Sequence, residues 1–343
     1  RGPDIHTVAA RLVEMGICRT QQSAEASLTA LQRDLRPKPG LLNNLYLHVT
    51  FACQLHCTHC YARADATGQK QGHMEVGAVL SLARQAWEAG FRQVILTGGE
   101  PLVHPQRDEL LGKLAEFRGT CFTLPAGADE KEQAARKRPT RPNLVLRTNF
   151  ALSLDAIGLG AVALAFDQVV ASVDGTPQTH DQRRGAGSYA ATLKNLEAYA
   201  QLAASIPAAA ELSLATVMRA DDLASEPGAS VRALAQRLGI RRTRFRPLLP
   251  LGRASDWEEP PVSEALGGHA DPMELIEEGF HPVPSCGLGQ NLYIEPSGQS
   301  FPCYAYHQPH SYLGNVIAKG LPAVLNTRAF ADLCHHTVDT NPM

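Results

Sequence analysis

The sequence predicts an α/β fold in which a parallel sheet, closed or partly closed, is covered by helices. Two observations predict it. From residue 45 onward, short apolar runs alternate six times with helix-length amphipathic stretches, the order expected of repeated βα units. The 343 residues are 44% hydrophobic, enough for a large core in one or two domains.

Residues 5–36 read as helices: Val8, Leu12 and Val13 keep helical spacing, and Ala24, Leu28, Leu31 and Leu35 keep it again. Pro37, Pro39 and Gly40 break the helix and act as a linker. Strands are expected at 45–50, 93–97, 143–148, 167–173, 211–217 and 242–247, with helices at 75–89, 106–118, 153–164, 188–204 and 229–238. In helix 75–89, Val76, Val79, Leu80, Ala83 and Trp87 form one stripe, Arg84 and Glu88 lie off it, and Gly90 ends it. Residues 119–142 break the alternation. There Pro125, Gly127, Pro139 and Pro142 surround a polar run from Asp129 to Arg138, a solvated excursion or a lid.

A formal net charge of −2 gives no drive toward phosphate backbones or anionic lipid, so neither nucleic acid nor membrane is an expected partner. The longest apolar candidate for a membrane span, 156–166, lies between Asp155 and Asp167 and reads as a buried helix. Eight cysteines, three of them closely spaced, without a signal-like N-terminus, point to a reducing compartment and a cytoplasmic protein. The chain begins at Arg1 rather than Met and reads as a trimmed or processed form, so the lack of a targeting signal says correspondingly less.

The chemistry centres on Cys53, Cys57 and Cys60, which follow the first strand within a loop too short to carry them apart. Zinc is one occupant, but structural zinc sites usually add a second cysteine pair, and none follows at finger-like distance. Three thiolates also suit a [4Fe–4S] cluster with one iron left open to bind a substrate.

The C-x3-C-x2-C spacing followed by Tyr61 resembles the radical S-adenosylmethionine (SAM) superfamily. The resemblance implies a (β/α)6 partial barrel over roughly residues 43–250, and a cluster whose open iron is chelated by SAM. It further implies a low-potential electron donor such as flavodoxin or ferredoxin, and reductive cleavage of SAM to a 5′-deoxyadenosyl radical.

In parallel α/β architectures ligands collect at the C-terminal ends of the strands. Strand two ends Gly98-Gly99-Glu100-Pro101, two glycines that allow close backbone approach and a carboxylate able to accept from an ammonium. By resemblance this motif grips the SAM amino group. Strand three ends at Asn149, a partial match to a Thr-Asn-Gly motif with Phe150 in place of the glycine; Asn149 reads equally as a turn former. At the end of strand four, Ser172 and Asp174 are placed for hydroxyl and ribose contacts, and in the segment that follows Arg184 could pair with the SAM carboxylate. His180 reads as a turn residue rather than a general base. Strand five, 212–217, is core packing or an adenine wall. Arg242, Arg244 and Arg246 share one face of strand six, which either meets an anion or faces solvent.

A second cysteine pair, Cys286 and Cys303, flanks a turn at Pro296-Ser-Gly298 between two strand-like runs. A zinc ribbon or two unconnected thiols would account for it. The pattern C-x11-G-x4-C also resembles the opening of SPASM and twitch domains. That implies a small C-terminal twitch-like domain with an auxiliary [4Fe–4S] cluster on Cys286, Cys303 and Cys334. Its remaining iron is open unless Cys18, Cys121, a His or another group completes it. The further cysteines of a full SPASM set are not in the chain, and a C-terminus truncated after Met343 would explain this.

The expected organisation is an N-terminal helical segment at 1–40, a radical-SAM core at 41–255, and a linker with a twitch-like domain at 256–343. The N-terminal segment is similar to the helical half of small winged-helix domains that bind leader peptides. The expected function is hydrogen abstraction from a ribosomally made peptide, giving a thioether, a C–C crosslink or an epimerised centre. A small metabolite undergoing dehydrogenation or rearrangement is the alternative, and a non-catalytic iron–sulfur or zinc scaffold a third. Cys18 and Cys121 are candidate hydrogen donors or incidental buried thiols.

Overall fold

The computed structural model describes residues 42–120, 141–248, 251–255, 289–303 and 309–330. The expected helices at 5–36, the linker at 37–40, the polar run within 121–140, and Cys18, Cys121, Cys286 and Cys334 lie outside the described residues.

Six strands are mutually parallel: β1 (Asn44–Thr50), β2 (Gln93–Gly98), β3 (Asn143–Thr148), β4 (Gln168–Ser172), β5 (Glu211–Met218) and β6 (Thr243–Pro247). The sheet runs β6-β5-β4-β3-β2-β1-β7-β8-β9. Strand β7 (Asn291–Ile294) adds in parallel to β1, setting Tyr293 opposite Tyr46. β8 (Gln299–Phe301) turns back on β7 and β9 (Gly314–Asn315) on β8, both antiparallel. The turn expected at Pro296-Ser-Gly298 therefore forms, with Gly298 at φ +84°.

The two faces of the parallel strands differ. Leu45, Leu47 and Val49 of β1, Val94 and Leu96 of β2, Leu144 and Leu146 of β3, and Val169 and Ala171 of β4 join the helix-covered core. Each of the Leu and Val side chains, fully buried, stabilises the fold by about 1.5–3 kcal/mol. Because side chains alternate across a strand, the intervening residues, among them Tyr46, Thr97, Arg147 and Ser172, turn to the opposite face and line a cavity.

Helix α1 (Val76–Ala89) buries Val76, Val79, Leu82, Ala83, Ala86 and Trp87. The expected stripe is corrected at Leu80, which is only partly buried; the buried face is rotated toward Leu82 and Ala86. Gly90 ends the helix in the left-handed region and donates to Ala86 O and Trp87 O. α2 is Arg107–Arg118. α3 (Ala156–Ala165) starts three residues later than expected because Asp155 Oδ1 accepts from Gly158 N at 2.8 Å and caps it. It is not wholly buried: Ile157 is 82% exposed, so the apolar run serves one buried face only.

An unexpected helix, α4 (Pro177–Arg184), follows β4 and corrects the reading of His180 as a turn residue: its ring is fully buried on this helix. Its sequence, PQTHDQRR, has no apolar stripe to betray it. Thr176 caps it, accepting from Thr179 N, and Pro177 fits its first turn. α5 (Ser188–Ala203) and α6 (Glu226–Arg237) complete the core. Among the described residues no helix is long and apolar enough to cross a membrane.

Candidate active site

The loop carrying Cys53, Cys57 and Cys60 is clamped from two sides. On one, the end of β2 hydrogen-bonds to it: Gly99 N donates to Thr50 O at 2.7 Å and Glu100 N to Ala52 O at 2.9 Å. The approach is so close that a Cβ on Gly98 would sit 2.2 Å from Thr50 O, and one on Gly99 2.1 Å from Ala52 O. The Gly-Gly pair is thus required first by the cysteine loop's own backbone. On the other side a turn at 251–255 latches on. Arg253 N donates to Cys60 O at 3.0 Å, its Nε to Cys57 O at 2.7 Å and its Nη2 to Ala64 O at 2.8 Å. Gly252, at φ +61°, comes equally close: its Cβ would lie 2.3 Å from Cys60 O. No local pattern marks Arg253 for this role; the glycine before it, Gly252, is the available signal in the sequence.

All three cysteines face one cavity of about 240 Å³. Cys53 and Cys57 are buried and Cys60 is half-buried. Leu55 N at 3.4 Å and Asn149 Nδ2 at 3.6 Å both donate to Cys53 Sγ. Burial pushes the Cys53 thiol up to about 12 and raises Cys57 as well, so a bound metal centre is what would hold them as thiolates. Among the described residues no three His, Cys, Asp or Glu side chains converge on the position of one ion. Three thiols on one cavity would suit a polynuclear cluster, in which each ligates its own iron.

Of the residues expected to contact a cofactor, Tyr61, Gly98, Gly99, Asn149, Ser172 and Arg184 line this cavity. Glu100 and Asp174 stand behind its wall, both fully buried. Glu100 accepts from Leu102 N at 3.1 Å, Thr148 Oγ1 at 2.8 Å and Asn149 N at 2.7 Å, bracing β2 to the end of β3. Burial pushes its carboxyl up to about 7 against those three donors.

Phe150, which replaces glycine in the partial motif, has φ +56°. α5 holds this turn through Thr192 Oγ1 to Asn149 O at 2.9 Å and Asn195 Nδ2 to Phe150 O at 2.8 Å. A Phe150→Gly variant should relieve about 1–2 kcal/mol of left-handed strain. It also empties a fully buried ring site, a change that costs about 3–5 kcal/mol in Phe→Ala cases. Net destabilisation of about 1–4 kcal/mol is expected in denaturant melts; a rise in midpoint would show that relief of backbone strain outweighs the lost ring packing.

Asp174 organises the far wall. Its Oδ2 accepts from Arg184 Nε at 2.6 Å and lies 3.4 Å from His59 Nε2, while Oδ1 accepts from Val217 N at 2.9 Å. Its own N–H donates to His180 Nδ1 at 3.2 Å. Burial pushes His59 down to about 4; it lines the cavity and was not singled out in the sequence. Tyr293, carried in by β7, hydrogen-bonds to His48, which is 3.1 Å from Tyr61 Oη. On β6, Arg246 lines the cavity whereas Arg244 is exposed, as is Arg242 just before the strand, so the expected shared face divides between lumen and solvent. In β5, Ala215 and Val217 line the cavity while Leu214 packs in the core. Cys303, two residues past β8, is half-buried.

Residues 47–205 match the family model described as the radical SAM superfamily. The chain is 22% identical over 301 residues to the antilisterial bacteriocin subtilosin biosynthesis protein AlbA of Bacillus subtilis, covering 82% of this chain and 60% of that protein. It therefore spans less than two thirds of AlbA. It is 29% identical over 292 residues to the GTP 3′,8-cyclase of Synechococcus sp. WH7803, covering 76% of this chain and 79% of that enzyme. Among solved structures, Streptococcus suis SuiB bound to precursor peptide SuiA superposes with a TM-score of 0.62 at 12% identity, over 95% of this chain and 77% of SuiB. That likeness is one of fold.

Proposed function

Residues 47–205 form a radical SAM domain, in a superfamily of SAM-dependent iron–sulfur enzymes, and from that premise we propose that this protein modifies a ribosomally made peptide. Cys53, Cys57 and Cys60 would hold the [4Fe–4S] cluster. When bound, cluster and SAM together supply a 5′-deoxyadenosyl radical able to abstract hydrogen from an unactivated C–H bond. The protein's task is to fix geometry and exclude water around that chemistry.

The observation that carries the reading is the shared cavity: three clamped thiols, the Gly98-Gly99 ledge and Arg184 open onto one space. In this reading Arg184 meets the SAM carboxylate, and Asp174 fixes the guanidinium rather than touching SAM. Gly98 and Gly99 offer backbone carbonyls to the SAM ammonium, with Glu100 orienting them from behind. Tyr61, Asn149 and Ser172 border the nucleoside. Similarity to AlbA and to the fold of SuiB supports a peptide substrate; the product is a thioether, a C–C crosslink or an epimerised centre. Similarity to a GTP cyclase over most of its length supports the second reading, a small-molecule substrate. A low-potential donor such as flavodoxin or ferredoxin would supply the electron, in the cytoplasm.

The test is anaerobic reconstitution followed by reduction with SAM. 5′-Deoxyadenosine should form in the wild type and not in Cys53→Ala. A chain that binds iron but never yields this product would be a scaffold. Incubation with short precursor peptides encoded beside the gene should then give a peptide 2 Da lighter, or deuterium from D2O at one α-carbon. Iron per chain in a Cys286→Ala/Cys303→Ala variant addresses the twitch assignment: a fall from about eight to about four establishes an auxiliary cluster, and about four in both removes it.

A further inference from the structure

We propose that the side-chain amide of Asn149 serves the Cys53 sulfur rather than the nucleoside, as a hydrogen-bond donor that raises the reduction potential of the cluster. The proposal deepens the reading above and rests on it for the cluster that Cys53 would hold. Asn149 directly follows β3 and is buried. Its backbone is pinned on both sides: its N–H donates to Glu100 Oε2 at 2.7 Å, and its carbonyl accepts from Thr192 Oγ1 at 2.9 Å.

The orientation of the amide follows from a group that can only donate. Ala151 N, a backbone donor, lies 2.9 Å from Asn149 Oδ1, so the atom facing it must be the oxygen. Gln54 Nε2 donates to the same oxygen at 2.8 Å. With the oxygen fixed, Nδ2 is the atom 3.6 Å from Cys53 Sγ, and its other neighbour is Gln54 Oε1 at 3.5 Å. An amide nitrogen carries two N–H bonds, enough for both. The two sequence readings of Asn149, turn former and cofactor contact, thus fall on opposite ends of one group: the oxygen holds the turn and the nitrogen faces the cysteine.

Cys53 Sγ receives two N–H groups, Asn149 Nδ2 and Leu55 N at 3.4 Å. Both bonds strengthen when the sulfur is an anionic ligand. Negative charge on ligand sulfurs grows when a cluster takes up an electron, so each N–H favours the reduced form and raises the potential. Leu55 N is backbone and donates whatever the side chains are. Asn149 is therefore the donor through which the sequence sets the potential, and a contact with the nucleoside through the same amide would break one of the bonds just described.

The test is a redox titration of the reconstituted chain without SAM or substrate, following by EPR the reduced-cluster signal that Cys53→Ala abolishes. Asn149→Asp keeps the oxygen opposite Ala151 N and removes the donor; Asn149→Leu removes the donor without adding charge. At the wild-type midpoint the ratio of reduced to oxidised cluster should fall in both. In Asn149→Leu the fall should be up to about tenfold, which is about 59 mV for a one-electron couple, and in Asn149→Asp at least as large. Pulsed EPR of wild type labelled with nitrogen-15 asparagine should show an asparagine nitrogen coupled to that cluster. Where neither variant assembles a cluster, this coupling decides, and its absence overturns the proposal. A potential that ignores both substitutions overturns it as well, and weaker SAM binding at unchanged potential would make Asn149 a nucleoside contact. A wild type without a reducible cluster fells the assignment of Cys53, Cys57 and Cys60 along with this inference, whereas precursor peptides that fail to react leave the potentials, and the role of Asn149, as they are.

Discussion

An Asp174→Asn variant is expected to lose roughly 3–5 kcal/mol of stability, the usual consequence of stranding one partner of a buried ion pair. The carboxylate is fully buried and Arg184 nearly so, and Asn cannot neutralise the guanidinium 2.6 Å away. Val217 N and His59 would lose charge-assisted partners in the same step. Function should suffer beyond stability, because Arg184 lines the cavity only in the orientation Asp174 gives it. A midpoint drop on the order of 10 °C is expected, with SAM affinity lost even at temperatures where the variant is folded.

The pH dependence separates this pair from a generic packing defect. Burial pushes the Asp174 carboxyl up, but Arg184 and His59 beside it outweigh that and hold it down to about 2, against about 3.9 in an unfolded chain. A depressed carboxyl contributes stability that is present above the unfolded value and lost as pH falls through the folded one. The gap between wild type and Asp174→Asn should therefore narrow from about pH 4 toward pH 2. Urea melts of the metal-free chain across that range measure it, and a constant gap would place the destabilisation outside the ion pair.

Much of this architecture is legible in the chain because strand and helix cores obey local rules. Strand β3 falls at 143–148 as expected, since its apolar run is bounded by Pro142 and Asn149, and β2 is announced by the glycines that end it. The cysteine loop is legible because spacing alone brings three thiols together. What escapes is set by partners distant in sequence. The β7 strand is four residues long and finds β1 across 247 positions, so no local pattern could bring Tyr293 to His48. The latch of Arg253 on the cysteine loop is likewise long-range, and its donors meet backbone carbonyls, which no side-chain pattern encodes. Helix α4 is stabilised by its cap and by Arg184 and His180 turning inward to Asp174. A polar helix anchored by buried charge looks, residue by residue, like a loop.

The glycine ledge gives the other large effect. A Gly99→Ala variant should lose most of its iron on reconstitution, because the new Cβ would stand 2.1 Å from Ala52 O and 2.6 Å from Ala52 C. Backbone, not a flexible side-chain tip, is the obstacle, so either β2 or the cysteine loop must move by about an ångström. Movement breaks Gly99 N to Thr50 O and Glu100 N to Ala52 O, bonds worth about 0.5–1.5 kcal/mol each, with further cost for the buried groups left unmet. Gly98→Ala adds strain at φ +138°, a conformation open essentially to glycine alone. Gly112 supplies the contrast: it lies within α2 with nothing within 4 Å of its Cβ position, and Gly112→Ala should raise stability by up to about 1 kcal/mol. Iron per chain and melting midpoint, measured for the three variants together, test the argument. Full iron in Gly99→Ala with a midpoint near wild type would mean that the cysteine loop does not depend on this ledge for its place.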